Sequence, residues 1–95
     1  MRKMRYVIAY DIADDRRRYQ VAKFLEGWGR RVQESVFECD LSTEELEEVS
    51  SHLKALMNAS EDRCHIYRLC GECVPRRRAL GLGDLEPEWA ETVVT

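Results

Sequence analysis

Ninety-five residues, 44% hydrophobic and 35% charged with five Gly and two Pro, make one globular domain and leave no room for a second core. No apolar run approaches membrane-spanning length, and too few apolar residues precede Asp11 for a signal peptide, so the expectation is a cytoplasmic protein with no membrane partner. The net charge of −3 hides an asymmetry: residues 1–31 hold nine Lys and Arg against four Asp and Glu, residues 32–62 one against nine, which suggests a local basic patch for phosphate or simply two helix faces of opposite sign.

The first predicted element is a strand, Arg5–Tyr10, with Tyr6, Ile8 and Tyr10 on one face and Val7 and Ala9 on the other. Both faces read as buried, and the strand ends at a carboxylate, Asp11. Asp14 or Asp15 then caps a helix, because a short carboxylate accepts the free N–H groups of a first turn. Arg18, Val21, Ala22, Leu25 and Trp28 share one stripe of that helix, and Gly29 reads as its stop. Arg31–Leu41 is strand material, either one strand or two with a tight turn near Arg30. From Gln33 on, Ser35, Phe37, Cys39 and Leu41 alternate with Glu34, Val36, Glu38 and Asp40.

Ser42-Thr43-Glu44-Glu45 has the form of a capping box. Leu46, Val49, Leu53 and Leu56 stripe the helix behind it, whose other face is acidic and solvated. A polar loop, Asn58–Asp62, leads to a last core strand, His65–Cys70. Residues 74–95 change character: they hold Arg76-Arg77-Arg78, both Pro, and Thr92–Val94 as a short C-terminal edge strand.

Strand, helix, strand, strand, helix, strand is the α+β, ferredoxin-like (βαββαβ) order, an antiparallel sheet with two helices on one face. It occupies residues 1–73, with residues 74–95 as a tail. Two helices cover one face only, yet the first strand is apolar on both. The cheapest cover for the second face is another copy of the chain, so the expectation is a two-fold homodimer with sheets apposed.

Of four cysteines, Cys70 and Cys73 have the C-x-x-C spacing of zinc or thiol-redox sites. A closed zinc site needs four ligands, and only Cys64 and His65 lie near. A redox motif normally opens a helix, whereas this one follows a strand. The four therefore read as ordinary small, buried or strand-end cysteines.

Asp11 is the residue with chemistry to spare. Asp14 and Asp15 are better placed to cap the helix, and a strand end holds a ligand rigidly. In a two-fold dimer each protomer supplies one such Asp, and the pair suits Mg²⁺, which prefers oxygen ligands, keeps several waters and needs only one or two carboxylates. Such an ion activates water for phosphodiester cleavage. Arg18 shares the apolar stripe, so its guanidinium is expected to reach back toward Asp11, or to pair with Asp14. Arg16 and Arg17 are expected to face solvent and meet a nucleic-acid backbone, with Arg30, Arg31 and Arg76–Arg78 extending that surface. Tyr10 and Phe37 are candidates to stack on an unpaired base, or core aromatics. Ser35 is either a hydrogen-bond donor near the strand pair or a small residue tolerated on a sheet.

The segment YVIAYDIADDRRRYQVAKFLEGWGRRVQESVFECDL resembles the small CRISPR-associated family of spacer acquisition, Cas2. The matching features are Y-D-I-x-D-D at Tyr10–Asp15, Arg18 with Val21 and Leu25, R-V-Q-x-S-V-F-E at Arg31–Glu38, and IYRLC at Ile66–Cys70. The resemblance implies a ferredoxin-like homodimer and a metal-dependent nuclease acting on RNA or DNA. In it Asp11 binds Mg²⁺ and is catalytic with Tyr10 and Arg18, while Arg31, Ser35 and Phe37 line or support the site. It further implies a scaffold that binds nucleic acid and bridges the larger integrase, Cas1, and a C-terminal segment that adds a strand to the partner's sheet. Cys70, Cys73 and Arg76–Arg78, Arg77 among them, are not family-defining. The alternatives are a non-catalytic scaffold and a toxin-like ribonuclease of the VapD type, which shares the fold.

Overall fold

The computed structural model describes residues 2–81. Six elements and a final short turn follow one another: β1 (Met4–Asp11), α1 (Asp15–Glu26), β2 (Gly29–Gln33), β3 (Val36–Leu41), α2 (Thr43–Leu56), β4 (Arg63–Leu69) and a 3₁₀ turn (Val74–Arg76). The sheet order is β2-β3-β1-β4, and every pair is antiparallel. The fold is ferredoxin-like, as the element order implies.

Asp14 caps α1 by accepting from the Arg17 N–H at 2.9 Å. The helix ends at Glu26, before Trp28, because Gly27 rather than Gly29 terminates it. Gly29 already belongs to β2, where a Cβ would stand 2.3 Å from the Glu38 carbonyl oxygen and 2.5 Å from Cys39 Sγ. Glycine is there for close strand approach, not for a helix stop. At α2 the capping box is complete: Ser42 Oγ accepts from Glu45 N at 3.2 Å, and Glu45 Oε1 from Ser42 N at 2.9 Å. The turn between β2 and β3 falls at Glu34–Ser35 instead of near Arg30, and β4 begins at Arg63, two residues earlier than expected.

Strand alternation then sorts the side chains. Tyr6, Ile8 and Tyr10 of β1 and Phe37, Cys39 and Leu41 of β3 pack beneath Val21, Ala22, Leu25, Val49 and Leu53 of the helices. Each large apolar side chain buried this way contributes about 1.5–3 kcal/mol. Phe24 of α1 stacks on His52 of α2, ring centroids 4.1 Å apart, and so joins the two helices.

The second face differs from the expectation. Val7 and Ala9 are only half-buried, whereas Arg5 is 1% exposed. Arg5 sits across from Asp40, and Val7 across from Glu38. The Arg5 guanidinium accordingly donates to Asp40 Oδ1 at 2.5 Å, Asp40 Oδ2 at 3.1 Å and Glu38 Oε1 at 2.9 Å. Arg77 donates to the same Glu38 oxygen at 2.6 Å and to the Val74 carbonyl at 2.6 Å. The segment after β4 thus straps over the Met4 end of this face, with Val74 fully buried. The described residues leave the Asp11 end uncovered. Thr92–Val94, read as an edge strand, lies outside the described residues.

Candidate metal and nucleic-acid site

The open end of the helix-free face is built by β1 and β4. Asp11, the last residue of β1, is exposed and stands across from Arg63, the first residue of β4. Among the described residues its carboxylate makes no side-chain hydrogen bond or ion pair. Ala9 stands across from His65, whose Nδ1 lies 3.1 Å from the Tyr67 hydroxyl. Alternation puts Asp11, Arg63, His65 and Tyr67 on one face, all exposed.

A buried carboxylate fixes this end of the sheet. The Asp62 side chain has no exposed surface and accepts from Ala13 N at 3.1 Å and Asn58 N at 2.9 Å. It also takes Arg17 Nε at 2.9 Å and Nη2 at 3.2 Å. Ala13 is two residues past Asp11 and Asp62 is one before Arg63, so one side chain ties down both strand ends. The Arg17 guanidinium, with the backbone N–H groups of Asn58 and Ala13, holds the Asp62 carboxyl down to about 2.

Arg17 therefore does not face solvent as expected. Its charge is taken by Asp62 and by Glu61, 2.9 Å away. Arg18 does not reach Asp11 either. Its Nε and Nη2 donate to the Ile12 carbonyl at 3.2 and 3.1 Å, and its Nη1 to Asp15 at 2.5 Å. It holds the backbone immediately after Asp11 rather than the carboxylate, and its ion pair is with Asp15 rather than Asp14.

Tyr10 and Phe37 lie on the helix side of the sheet, 5% and 0% exposed, and stack on each other with centroids 6.3 Å apart. Neither offers a ring face to a base. Tyr10 still serves the site through its neighbours: its backbone N–H donates to Ser35 O at 3.1 Å and its hydroxyl to Glu34 O at 3.4 Å. These bonds fasten the β2–β3 turn, with half-buried Ser35 in it, beside the end of β1. Arg31 is exposed, its guanidinium 5.4 Å above the edge-strand side of the Phe37 ring. Arg16 is exposed on α1. Arg77 is one-tenth exposed and committed to Glu38 and Val74, so it is a structural latch and not an outward contact.

The sequence reading did not place Arg63, His65 or Asp62 near Asp11. The polar alternation of Arg63, His65 and Tyr67 against Cys64 and Ile66 was available in the sequence, but only the β1–β4 register brings it to Asp11. On this face the described residues offer a hard divalent ion one exposed carboxylate, Asp11. Among the described residues no three His, Cys, Asp or Glu side chains gather to hold a metal. A Mg²⁺ ion keeps several waters and needs only one or two protein carboxylates. The cysteines divide into buried and strand-end positions, Cys70 directly following the end of β4. Cys39 is buried and Cys64 half-buried, but Cys70 and Cys73 are exposed and free.

A family model described as CRISPR associated protein Cas2 matches residues 4–77. A Chloroflexus aurantiacus protein named CRISPR-associated endoribonuclease Cas2 1 is 44% identical over 91 residues, covering 95% of this chain and 97% of its own. Streptococcus pyogenes Cas2 superposes with a TM-score of 0.76 at 29% identity, over 82% of this chain and 100% of its own. A chain of a partial Cas6-RT-Cas1–Cas2 complex shares the fold with a TM-score of 0.72 at 22% identity, over 88% of this chain and 98% of its own.

Proposed function

The chain belongs to the CRISPR-associated Cas2 family, and we propose that it is a Mg²⁺-dependent endonuclease working as a homodimer, which also holds nucleic acid for the larger integrase Cas1. The observation that carries this reading is the exposed Asp11 carboxylate at the end of β1, unpaired among the described residues and facing the half of the sheet that no described helix or strap covers.

Val7, Ala9 and Val36 are half-buried on that face and Tyr67 is 55% exposed, an apolar surface that a second copy of the chain would bury. Apposed sheets would bring Asp11 together with Asp11 of the partner subunit. A bound Mg²⁺ would supply activated water and neutralise charge developing on the phosphate. Asp11 holds and orients that ion. Arg63, across the ladder, places a cation beside the carboxylate where a phosphate oxygen would lie. Arg18 and Asp62 act through the backbone, fixing Ile12, Ala13 and the start of β4 so that Asp11 does not wander. Arg16 and Arg31 are exposed cations for the sugar-phosphate backbone, which they would meet without reading sequence. RNA is the first substrate class to test, because the Chloroflexus relative is named an endoribonuclease.

Purified protein incubated with single-stranded RNA and double-stranded DNA, with Mg²⁺ or with EDTA, tests the reading. Cleavage should need Mg²⁺ and vanish in Asp11→Asn, while the circular dichroism spectrum and dimer mass stay unchanged. Cleavage that persists in Asp11→Asn would sink the catalytic reading and leave the scaffold. Arg16→Glu with Arg31→Glu should weaken nucleic-acid binding whatever the fate of catalysis.

A further inference from the structure

The Asp11 face leaves Cys70 and Cys73 unaccounted for. β4 ends at Leu69, and the chain then folds into a tight turn in which Cys73 N and Val74 N both donate to the Cys70 carbonyl, at 3.0 and 3.2 Å. That turn sets the two thiols side by side in a hydrogen bond, Sγ to Sγ 3.2 Å. Both are exposed and free, and a Cβ at the intervening Gly71 would meet nothing within 4 Å. A small molecule thus has open access among the described residues to sulfurs already in contact, and forming a bond of about 2.05 Å asks for a short further approach of the two sulfurs.

The two thiols are also unequal. Cys70 is lowered from the ordinary thiol range, first by its hydrogen bond with Cys73 and then by the backbone N–H groups of Cys73 and Glu72. Cys73 is raised, chiefly by its hydrogen bond with Cys70 and then by the Cys70 charge. An exposed thiolate with a resolving thiol in contact is the arrangement that thiol–disulfide exchange needs. The other cysteines lack it: burial pushes Cys39 up to about 12 and raises Cys64.

We infer that Cys70 and Cys73 form a thiol–disulfide exchange site that takes low-molecular-weight disulfides, such as oxidised glutathione, and closes to an intrachain disulfide. Cys70 attacks one sulfur of the external disulfide, forming a mixed disulfide and releasing one thiol. Cys73 then attacks the Cys70 sulfur and displaces the second thiol, its own proton going to solvent or to the leaving thiolate. One external disulfide is reduced to two thiols, and the two cysteine thiols are oxidised to one disulfide. The site lies at the root of the strap, one residue before buried Val74 and four before the Arg77–Glu38 latch, so closure stiffens the turn from which the strap departs.

Intact-mass measurement of the full chain, reduced and then equilibrated at neutral pH with mixtures of reduced and oxidised glutathione, tests the inference. The wild-type chain should lose two hydrogen atoms, and peptide mapping should place the bond between Cys70 and Cys73. Cys73→Ser should stop at one glutathione on Cys70, and Cys70→Ser should take up glutathione at least tenfold more slowly. Cys64→Ser should behave as wild type. The inference is overturned if no intrachain bond forms even in oxidised glutathione alone. It is equally overturned if the bond maps to Cys64, if only links between chains form, or if Cys73→Ser carries no adduct on Cys70. The wild-type mass is decisive by itself, so misfolding of a variant does not shelter the proposal.

Discussion

Replacing Arg5 with Met is expected to destabilise the protein more than any single change at the candidate site. The substitution keeps the length of the stem and removes a guanidinium that is 1% exposed and makes three hydrogen bonds to Glu38 and Asp40. Two carboxylates remain in a covered pocket, with Arg77 still on Glu38. Removing one partner of a buried ion pair costs about 3–5 kcal/mol, because the other charge is left desolvated and unpaired. Arg77 puts the expectation at the lower end, about 3 kcal/mol, or a fall in Tm of roughly 12–24 °C for a domain of this size. Thermal unfolding by circular dichroism at one fixed protein concentration measures it, since the proposed self-association would make Tm depend on concentration. Arg5→Met combined with Glu38→Gln and Asp40→Asn should recover part of the loss, because no buried charge is then left without a partner. The reasoning fails if Arg5→Met costs less than about 1 kcal/mol, the range of a solvated surface pair. It fails too if the neutral combination is no more stable than Arg5→Met alone.

Other outcomes follow from the same geometry. Gly29→Ala should cost about 1–3 kcal/mol by denaturant titration, because its methyl group must displace the Glu38 carbonyl and Cys39 Sγ. Gly27→Ala, at φ −78° and with its nearest neighbour at 3.5 Å, should be neutral or stabilising by up to about 1 kcal/mol. The Asp62 carboxyl lies at about 2 in the fold against an ordinary 3.8, so the stability it contributes is present above about pH 4 and drains away as pH falls through 2. Stability against pH should therefore drop more steeply between pH 4 and 2 in the wild type than in Asp62→Asn. Cys39, pushed up to about 12 by burial, should resist iodoacetamide at roughly pH 8 until the chain is unfolded in urea.

The sequence made the scaffold legible because its signals were local. Alternation in Tyr6–Tyr10, the Asp14 cap, the Ser42 capping box and the Leu46–Leu56 stripe each depend on neighbours within a few residues, and each stands as read. Misplacements came where a local signal had two meanings. Gly29 follows an aromatic at the end of a helical stripe, yet its lack of a side chain serves strand packing. Arg17 reads as a solvent-facing position of a first turn, and Arg18 as the first member of the apolar stripe. Only the tertiary fold reveals that Asp62, 45 residues away, claims one and that the Ile12 carbonyl claims the other. Arg5 was hidden for a similar reason: its partners arrive through the β1–β3 register and through a strap that no periodicity announces. At the site itself, Asp11 could be read from the end of an apolar run. Its neighbours Arg63 and His65 could not, because they reach it only through strand pairing.

The reading of the site rests on one carboxylate per chain being shared across a dimer. Titrating the protein with Mn²⁺, followed by electron paramagnetic resonance of the free ion, measures that sharing without relying on catalysis. The account predicts one tightly held ion for every two chains, released by excess Mg²⁺ and lost in Asp11→Asn while the dimer persists. One ion per chain, or binding that survives in Asp11→Asn, would contradict it.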